Sequence, residues 1–286
     1  HVLNRGGYQE AKDARGVTVE QAVAKKVGMD KSGPVDGPGV SVEADLKRAI
    51  RKEPNNPDNY VKLAQHYRDE RKLDEAIELL QKAVELAKDD PGVKELLEDV
   101  ELERLRKQVE DAKDKAAETG NEEDQKKAAE LARELLRREI QVFAERVERY
   151  PANLRLKYEL AQRYMRVKQI AKAIPLLQQC VKDTRIAGEV LVCLGECFLA
   201  DKKPQLARRQ FEKSLQYLNA QDHPNLFKRA HYSLGRICEQ AGEKAAAEDH
   251  YSEVLAIDYE YRDALQRLEA LQAEDGGQSA EEGSEG

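Results

Sequence analysis

Residues 192–198 read Val192-Cys193-Leu194-Gly195-Glu196-Cys197-Phe198, which sets two thiols four residues apart on one side of a helix. Such a pair suits a metal, a redox couple or plain packing, and the residues around it decide which. The intervals of Leu194, Gly195 and Phe198 return at Leu63-Ala64-Tyr67, Leu160-Ala161-Tyr164 and Leu234-Gly235-Cys238. Nine residues past the last member of each set stands an alanine, Ala76, Ala173, Ala207 or Ala247. Four further on comes a bulky apolar residue, Leu80, Leu177, Phe211 or Tyr251, and three beyond it Ala83, Cys180, Ser214 or Val254.

These intervals describe helical hairpins. Leu, its small neighbour and the residue four after Leu share one face of a first helix, and the small residue lets a second helix approach closely. A turn follows, with Gly242 in the fourth copy and Asp201-Lys202-Lys203 in the third. The second helix then presents Ala and its bulky partner on its own inward face. Leu160 and Leu194 are 34 residues apart, and Leu194 and Leu234 are 40, the excess falling in the breaker-rich stretch from Asn219 to Pro224.

The pattern resembles the tetratricopeptide repeat, a 34-residue unit with a Trp, Leu-Gly, Tyr, Ala, Phe, Ala, Pro signature. Tyr60, Lys157, Leu191 and His231 take the place of the Trp, and the closing Pro is missing from all four copies. The resemblance implies an all-α, right-handed superhelical solenoid whose first helices line a concave groove for extended peptides or helices. Gly6-Gly7-Tyr8-Gln9-Glu10-Ala11 resembles the turn and second-helix start of a further repeat, and Ala49 with Pro54 resembles a closing end. The family's carboxylate clamp for chaperone C-termini uses Lys and Asn at groove positions that hold Val61 and Gln65 here, so that mode is not expected.

The expected organisation is a partial repeat and Gly/Pro-containing linker over 1–41 and an N-terminal repeat region over 42–91, then a long charged helical hairpin over 92–150. Three tandem repeats over 151–259, a capping helix over 260–273 and a disordered acidic tail over 274–286 complete it. In the hairpin, Leu102, Leu105, Val109, Ala112 and Ala116 keep helical spacing up to Thr119-Gly120-Asn121, and a second helix runs through Ala128, Leu131, Leu135, Ile140, Phe143 and Val147. A heptad seam covers only the first of these, which favours an elongated repeat with solvated charged faces over a projecting coiled-coil arm.

Composition narrows the function. A net charge of -7 with 36% charged residues argues against nucleic acid, which selects a basic excess. No apolar run reaches the length of a membrane span and no signal peptide is visible, so a cytoplasmic location is expected. The chain begins at His1 without Met, which leaves room for an upstream anchor or for a larger polypeptide of which this is a regulatory or assembly arm. Cys180, Cys193, Cys197 and Cys238 occupy inward repeat positions or flank them, and one i,i+4 pair with no second pair or nearby His is weak as a zinc site. His66, His223, His231 and His250 have no nucleophile or carboxylate arrangement beside them, and the glycine stretches lack the Lys-Ser/Thr ending of a phosphate loop. No cofactor, metal or catalytic residue is expected.

A binding surface remains. At 100° per residue, the side of each first helix away from its hairpin partner carries Arg155, Gln162 and Arg166 in the second copy, Glu189 and Glu196 in the third, and Arg229 and Arg236 in the fourth, flanked by Tyr158 and Tyr232. Basic, acidic and basic patches in succession suit a protein or peptide partner of mixed charge. The expected function is a non-catalytic protein–protein interaction scaffold.

Overall fold

A computed structural model describes residues 41–88 and 90–282, and the half-repeat read at Gly6–Ala11 lies outside them. Among the described residues the regular structure is all helical, with no strand. The described residues divide into two compact units, with the boundary between Lys107 and Gln108. The first contains α1 (Val42–Lys52), α2 (Pro57–Asp69), α3 (Leu73–Ala87) and the start of α4 (Pro91–Thr119). The second contains the rest of α4, α5 (Glu122–Arg149), α6 (Leu154–Arg166), α7 (Ile170–Cys180), α8 (Ala187–Ala200), α9 (Pro204–Ser214), α10 (Pro224–Gln240), α11 (Lys244–Leu255) and α12 (Ala264–Glu282). The four copies read from the sequence are the hairpins α2–α3, α6–α7, α8–α9 and α10–α11.

Local chemistry fixes where these helices start and stop. Asn56, Asn121 and Asn153 cap α2, α5 and α6, each side chain accepting a backbone N–H from the first turn. Pro57, Pro204 and Pro224 stand in the first turn of α2, α9 and α10, where a missing N–H costs nothing. Every first helix ends in the same Schellman turn. Arg71, Lys168, Lys202 and Gly242 adopt φ of 63°, 58°, 58° and 75°. The next N–H returns to the inward residue of the first helix, from Lys72 to Tyr67, Gln169 to Tyr164, Lys203 to Phe198 and Glu243 to Cys238, at 2.8–2.9 Å. This one turn geometry explains why the interval from the inward residue to the alanine is the same in every copy.

Across each hairpin the small and bulky residues are matched in size. Where the first helix has Ala64 or Ala161, the second has Leu80 or Leu177, and all four are buried. Where it has Gly195 or Gly235, the second has Phe211 or Tyr251. A Cβ on Gly195 would lie 2.6 Å from the Phe211 ring, and one on Gly235 would lie 2.8 Å from Tyr251. Glycine is therefore demanded by the aromatic opposite, not by the backbone.

The core of the second unit runs without a break from Tyr158 and Ala161 of α6 to Leu234 and Ile237 of α10. A smaller cluster joins Tyr232, Cys238, Ala247, Tyr251 and Val254 to Ala264 and Leu271 of α12, which closes the array. In the first unit, Val100 of α4 packs with Ala76, Ile77 and Leu80 of α3. The charged hairpin is two long helices with Gly120 at φ +61° between them, and Lys115 of α4 bridges Asp124 of α5 at 2.9 Å. α5 packs on α6, where the Arg163 guanidinium lies 3.9 Å from the Phe143 ring and its Nε 3.3 Å from Glu139. The last helix, α12, runs from Ala264 through Glu282.

Size matching makes a testable claim. Gly195→Ala should destabilise the second unit by about 1–3 kcal/mol through overpacking against Phe211. Adding Phe211→Leu should recover much of that loss, because it rebuilds the Ala–Leu pairing of α6–α7. Urea denaturation of the two single variants and the double closes the cycle, and strictly additive losses would show that the two residues do not oppose each other.

Candidate functional site

The first helices of the second unit contact one another in order, α6 with α8 and α8 with α10, so their outward residues form one face. Arg155 and Arg166 of α6 are well exposed, with side chains 60% and 66% accessible. Arg155 reaches Glu159 on its own helix at 2.9 Å, and Arg166 lies 3.9 Å from Glu139. The Arg155–Glu159 pair is solvated and costs little to break, while Glu139 is buried and is also bridged by Arg163, which leaves Arg166 at the edge of that contact.

Tyr158 is a correction. Its ring is fully buried, so it offers no apolar contact to a ligand. Gln162 donates to its hydroxyl at 2.6 Å, and Cys193 Sγ lies 3.7 Å away. Burial, with Cys193 and Glu189 beside it, raises the phenol far above its ordinary pKa and keeps it protonated. Gln162 thus serves the core as much as the surface. A helical wheel puts Tyr158 on the outward face, but the neighbouring helix α8 covers that position.

Glu196 and Arg229 are brought together. The Arg229 guanidinium donates from Nε and Nη2 to Glu196 at 2.7–3.0 Å, a bidentate pair between α8 and α10. Both residues are half-buried, and each neutralises the other.

Beyond that pair, α8 and α10 border a cleft of about 440 Å³ that includes Glu196, Tyr232, Ser233, Arg236, Gln240 and Arg262. Tyr232 is nearly buried and donates to Asp263 at 2.5 Å. Asp263 also receives Arg267 Nε at 2.8 Å, and Arg267 Nη1 bonds both oxygens of Glu239 at 2.9–3.0 Å. Those hydrogen bonds from Tyr232 and Arg267 hold the Asp263 carboxyl below its usual range. Tyr251 donates to Glu239 at 2.5 Å, so one network fastens α12 to the last repeat and fixes the Tyr232 ring. Arg262 lies over the rings of Tyr232 and Tyr261, at 4.8 and 5.2 Å from their centroids. It was missed in the sequence because it lies in the turn before α12, outside the first helices from which the face was read.

The thiols belong to the interior. Cys180, Cys193, Cys197 and Cys238 are all buried and unpaired. Burial pushes Cys180 and Cys193 up to about 11 and Cys197 up to about 12, which disfavours the thiolate that metal binding or nucleophilic attack needs. Among the described residues no three His, Cys, Asp or Glu side chains gather as metal ligands, and no helix is long and apolar enough to cross a membrane. One pairing escaped the sequence. His231, at the place of the repeat Trp, meets His250 of α11 with Nδ1 atoms 3.2 Å apart, while Phe227 lies 4.2 Å from the His231 ring.

A series of antiparallel helix pairs with a shared face and a tied-down terminal helix defines a protein of the all-α repeat class. Models of the tetratricopeptide repeat match residues 42–100 and 187–260, so both stretches are tetratricopeptide repeats. Among solved structures it is similar to YrrB, described as a tetratricopeptide repeat protein with an unusual peptide-binding site. The identity is 17%, with 78% of this chain and 97% of that one covered and a TM-score of 0.52. The C-terminal part of a repeat protein from Cytophaga hutchinsonii is similar at 15% identity, covering 79% and 93%, with a TM-score of 0.50. These likenesses establish the fold. No curated protein matches the chain in sequence.

The histidine pair makes the last repeat acid-sensitive. Burial lowers His231 to about 4, with His250 beside it, and burial lowers His250 as well. Asp249, Glu212 and Glu253 act on His250 in the opposite direction, while Arg208 acts with burial. Both imidazoles are thus neutral when folded, whereas the unfolded chain takes up protons below pH 6.5. Stability is full above that pH and is lost as pH falls from 6.5 towards 4. Discounting for partial exposure, the loss at pH 5 should be about 1 kcal/mol. It should shrink in His231→Leu, which copies Leu191 of the third repeat. Urea midpoints at pH 7 and pH 5 for both proteins test this, and an equal pH dependence in the two would rule the pair out as its source.

Proposed function

We propose that the chain is a protein–protein interaction scaffold without chemistry of its own, and that a partner's extended or helical segment docks along the outward face of α6, α8 and α10. The observation that supports this reading most is the state of the charges on that face. Arg155 and Arg166 are exposed at one end, Arg155 in a solvated pair within its own helix and Arg166 3.9 Å from Glu139. At the other end Arg236 and Arg262 border an open cleft. Between them the Glu196–Arg229 pair is internally neutral. The sign pattern proposed for a ligand is therefore acidic at both ends, with neutral or apolar residues in the middle, rather than acidic, basic and acidic. Such a pattern sets register more than affinity.

The tetratricopeptide repeats matched at 187–260 support the same reading, since repeats of this kind present first-helix faces to peptides. Buried, protonated thiols and the internal histidine pair offer no nucleophile or general base in the cleft.

A partner captured by the immobilised chain should bind Arg155→Glu/Arg166→Glu at least about tenfold more weakly than the parent. Arg133→Glu/Arg137→Glu, on exposed positions of α5, should bind within about twofold of it, with helicity unchanged in both. Loss of binding only in the α5 variant would move the working surface to the charged hairpin.

A further inference from the structure

The histidine pair of the last repeat has a geometry that a hydrogen bond alone does not explain. His231 of α10 and His250 of α11 bring their Nδ1 atoms to 3.2 Å, with ring centroids 5.1 Å apart and ring planes at 70°. In a straight N–H···N bond the rings point at each other, which would set the centroids about 5.5 Å apart at this nitrogen separation. The shorter centroid distance means that the rings converge on a point to one side of the line between the nitrogens. Two imidazoles that ligate one tetrahedral ion at about 2.0 Å hold their nitrogens about 3.3 Å and their centroids about 5.1 Å apart. A square-planar or octahedral ion would bring adjacent nitrogens to about 2.8 Å. The repeat itself does not call for the pair. The place of His231 holds Lys157 and Leu191 in the second and third copies, and that of His250 holds Leu176 and Gln210.

From this we infer that His231 and His250 form a zinc-binding site, their Nδ1 atoms taking two corners of a tetrahedron and water the other two. The tetrahedral bite selects zinc over copper or nickel, which prefer the narrower angle. Burial keeps both imidazoles neutral at pH 7, the form in which the ring ligates. Phe227 closes one side of His231 at 4.2 Å, while the half-buried His250 leaves the ion a path from solvent. Exposed Asp249, Glu212 and Glu253 place negative charge around His250. Arg208, the opposing charge, is bridged to Glu212 and Glu243 at 2.8 Å. Two protein ligands are fewer than a structural zinc site employs, so the ion is held in the micromolar range and exchanges. Its binding ties α10 to α11 and steadies the last repeat. The site faces the interior of the hairpin, apart from the outward face proposed for a peptide.

The test uses the whole chain, stripped with a chelator and titrated with zinc alone. One ion per chain should bind saturably, and the urea midpoint at pH 7 should rise with it. Cobalt in its place should give the intense visible bands of a tetrahedral ion. His231→Leu and His250→Gln should each weaken zinc binding at least about tenfold. His1→Gln/His66→Gln/His223→Gln, which removes every other histidine, should bind within about twofold of the parent. Helicity is read for each variant, and His250→Gln, which copies Gln210, keeps the test open if His231→Leu misfolds. A folded parent that takes up no zinc, or uptake unchanged in both variants of the pair, would overturn the site. So would uptake lost in the triple variant, or a pale octahedral cobalt spectrum.

Discussion

The contact on which this architecture depends is the close approach of two helices at a single small residue. Gly195 stands under Phe211 and Gly235 under Tyr251 with no room for a Cβ, while the Ala–Leu hairpins keep the same register with the methyl moved to the other side. Interiors pack at the density of organic crystals, so a hairpin can exchange volume between its two helices but cannot add any. The Schellman turn that follows the first helix has equally little freedom, because its left-handed residue and two return hydrogen bonds allow one length. Pairing and turn together convert a loose preference for helix into a repeat of defined phase. They also explain why lysine and arginine are held at positive φ in three of the turns: the register is fixed by the contacts on both sides, and the backbone strain at one residue is smaller than the cost of shifting it.

The fold was legible in the sequence for that reason. Leu194, Gly195, Phe198, Ala207 and Phe211 are positions where packing and turn geometry leave few alternatives, and the same intervals recur along the chain. The cysteines followed from it, since Cys193 and Cys197 sit inside a frame that already accounts for their neighbours.

The binding face was legible only by direction. A helical wheel gives the side on which a residue leaves its helix, but not what the next helix does to it. Tyr158 leaves on the outward side and is then covered by α8. Glu196 and Arg229 leave on that side from adjacent helices at a distance that lets them pair. Arg262 lies in the turn before α12, outside any first helix, and enters the cleft only because Tyr232 and Tyr261 give its guanidinium two ring faces. All three depend on distances between helices, and sequence spacing within one helix carries no information about those. His231 and His250, 19 residues apart on two helices, were out of reach for the same reason.

Charge on this face therefore has to be judged by what is left after internal pairing, not by the number of ionisable residues. The chain as a whole is acidic, at -7, and a long-range field of that sign does nothing to draw an acidic segment towards it. At physiological ionic strength that field is largely screened beyond about 8 Å. Inside the cleft the balance is reversed, because the nearest carboxylate is already held by Arg229 and the low walls of Tyr232, Leu199 and Ile237 strengthen what remains. For a segment docked as proposed above, the charge that counts is therefore what internal pairing leaves on the walls it touches, and the sign of the whole chain is a poor guide to it.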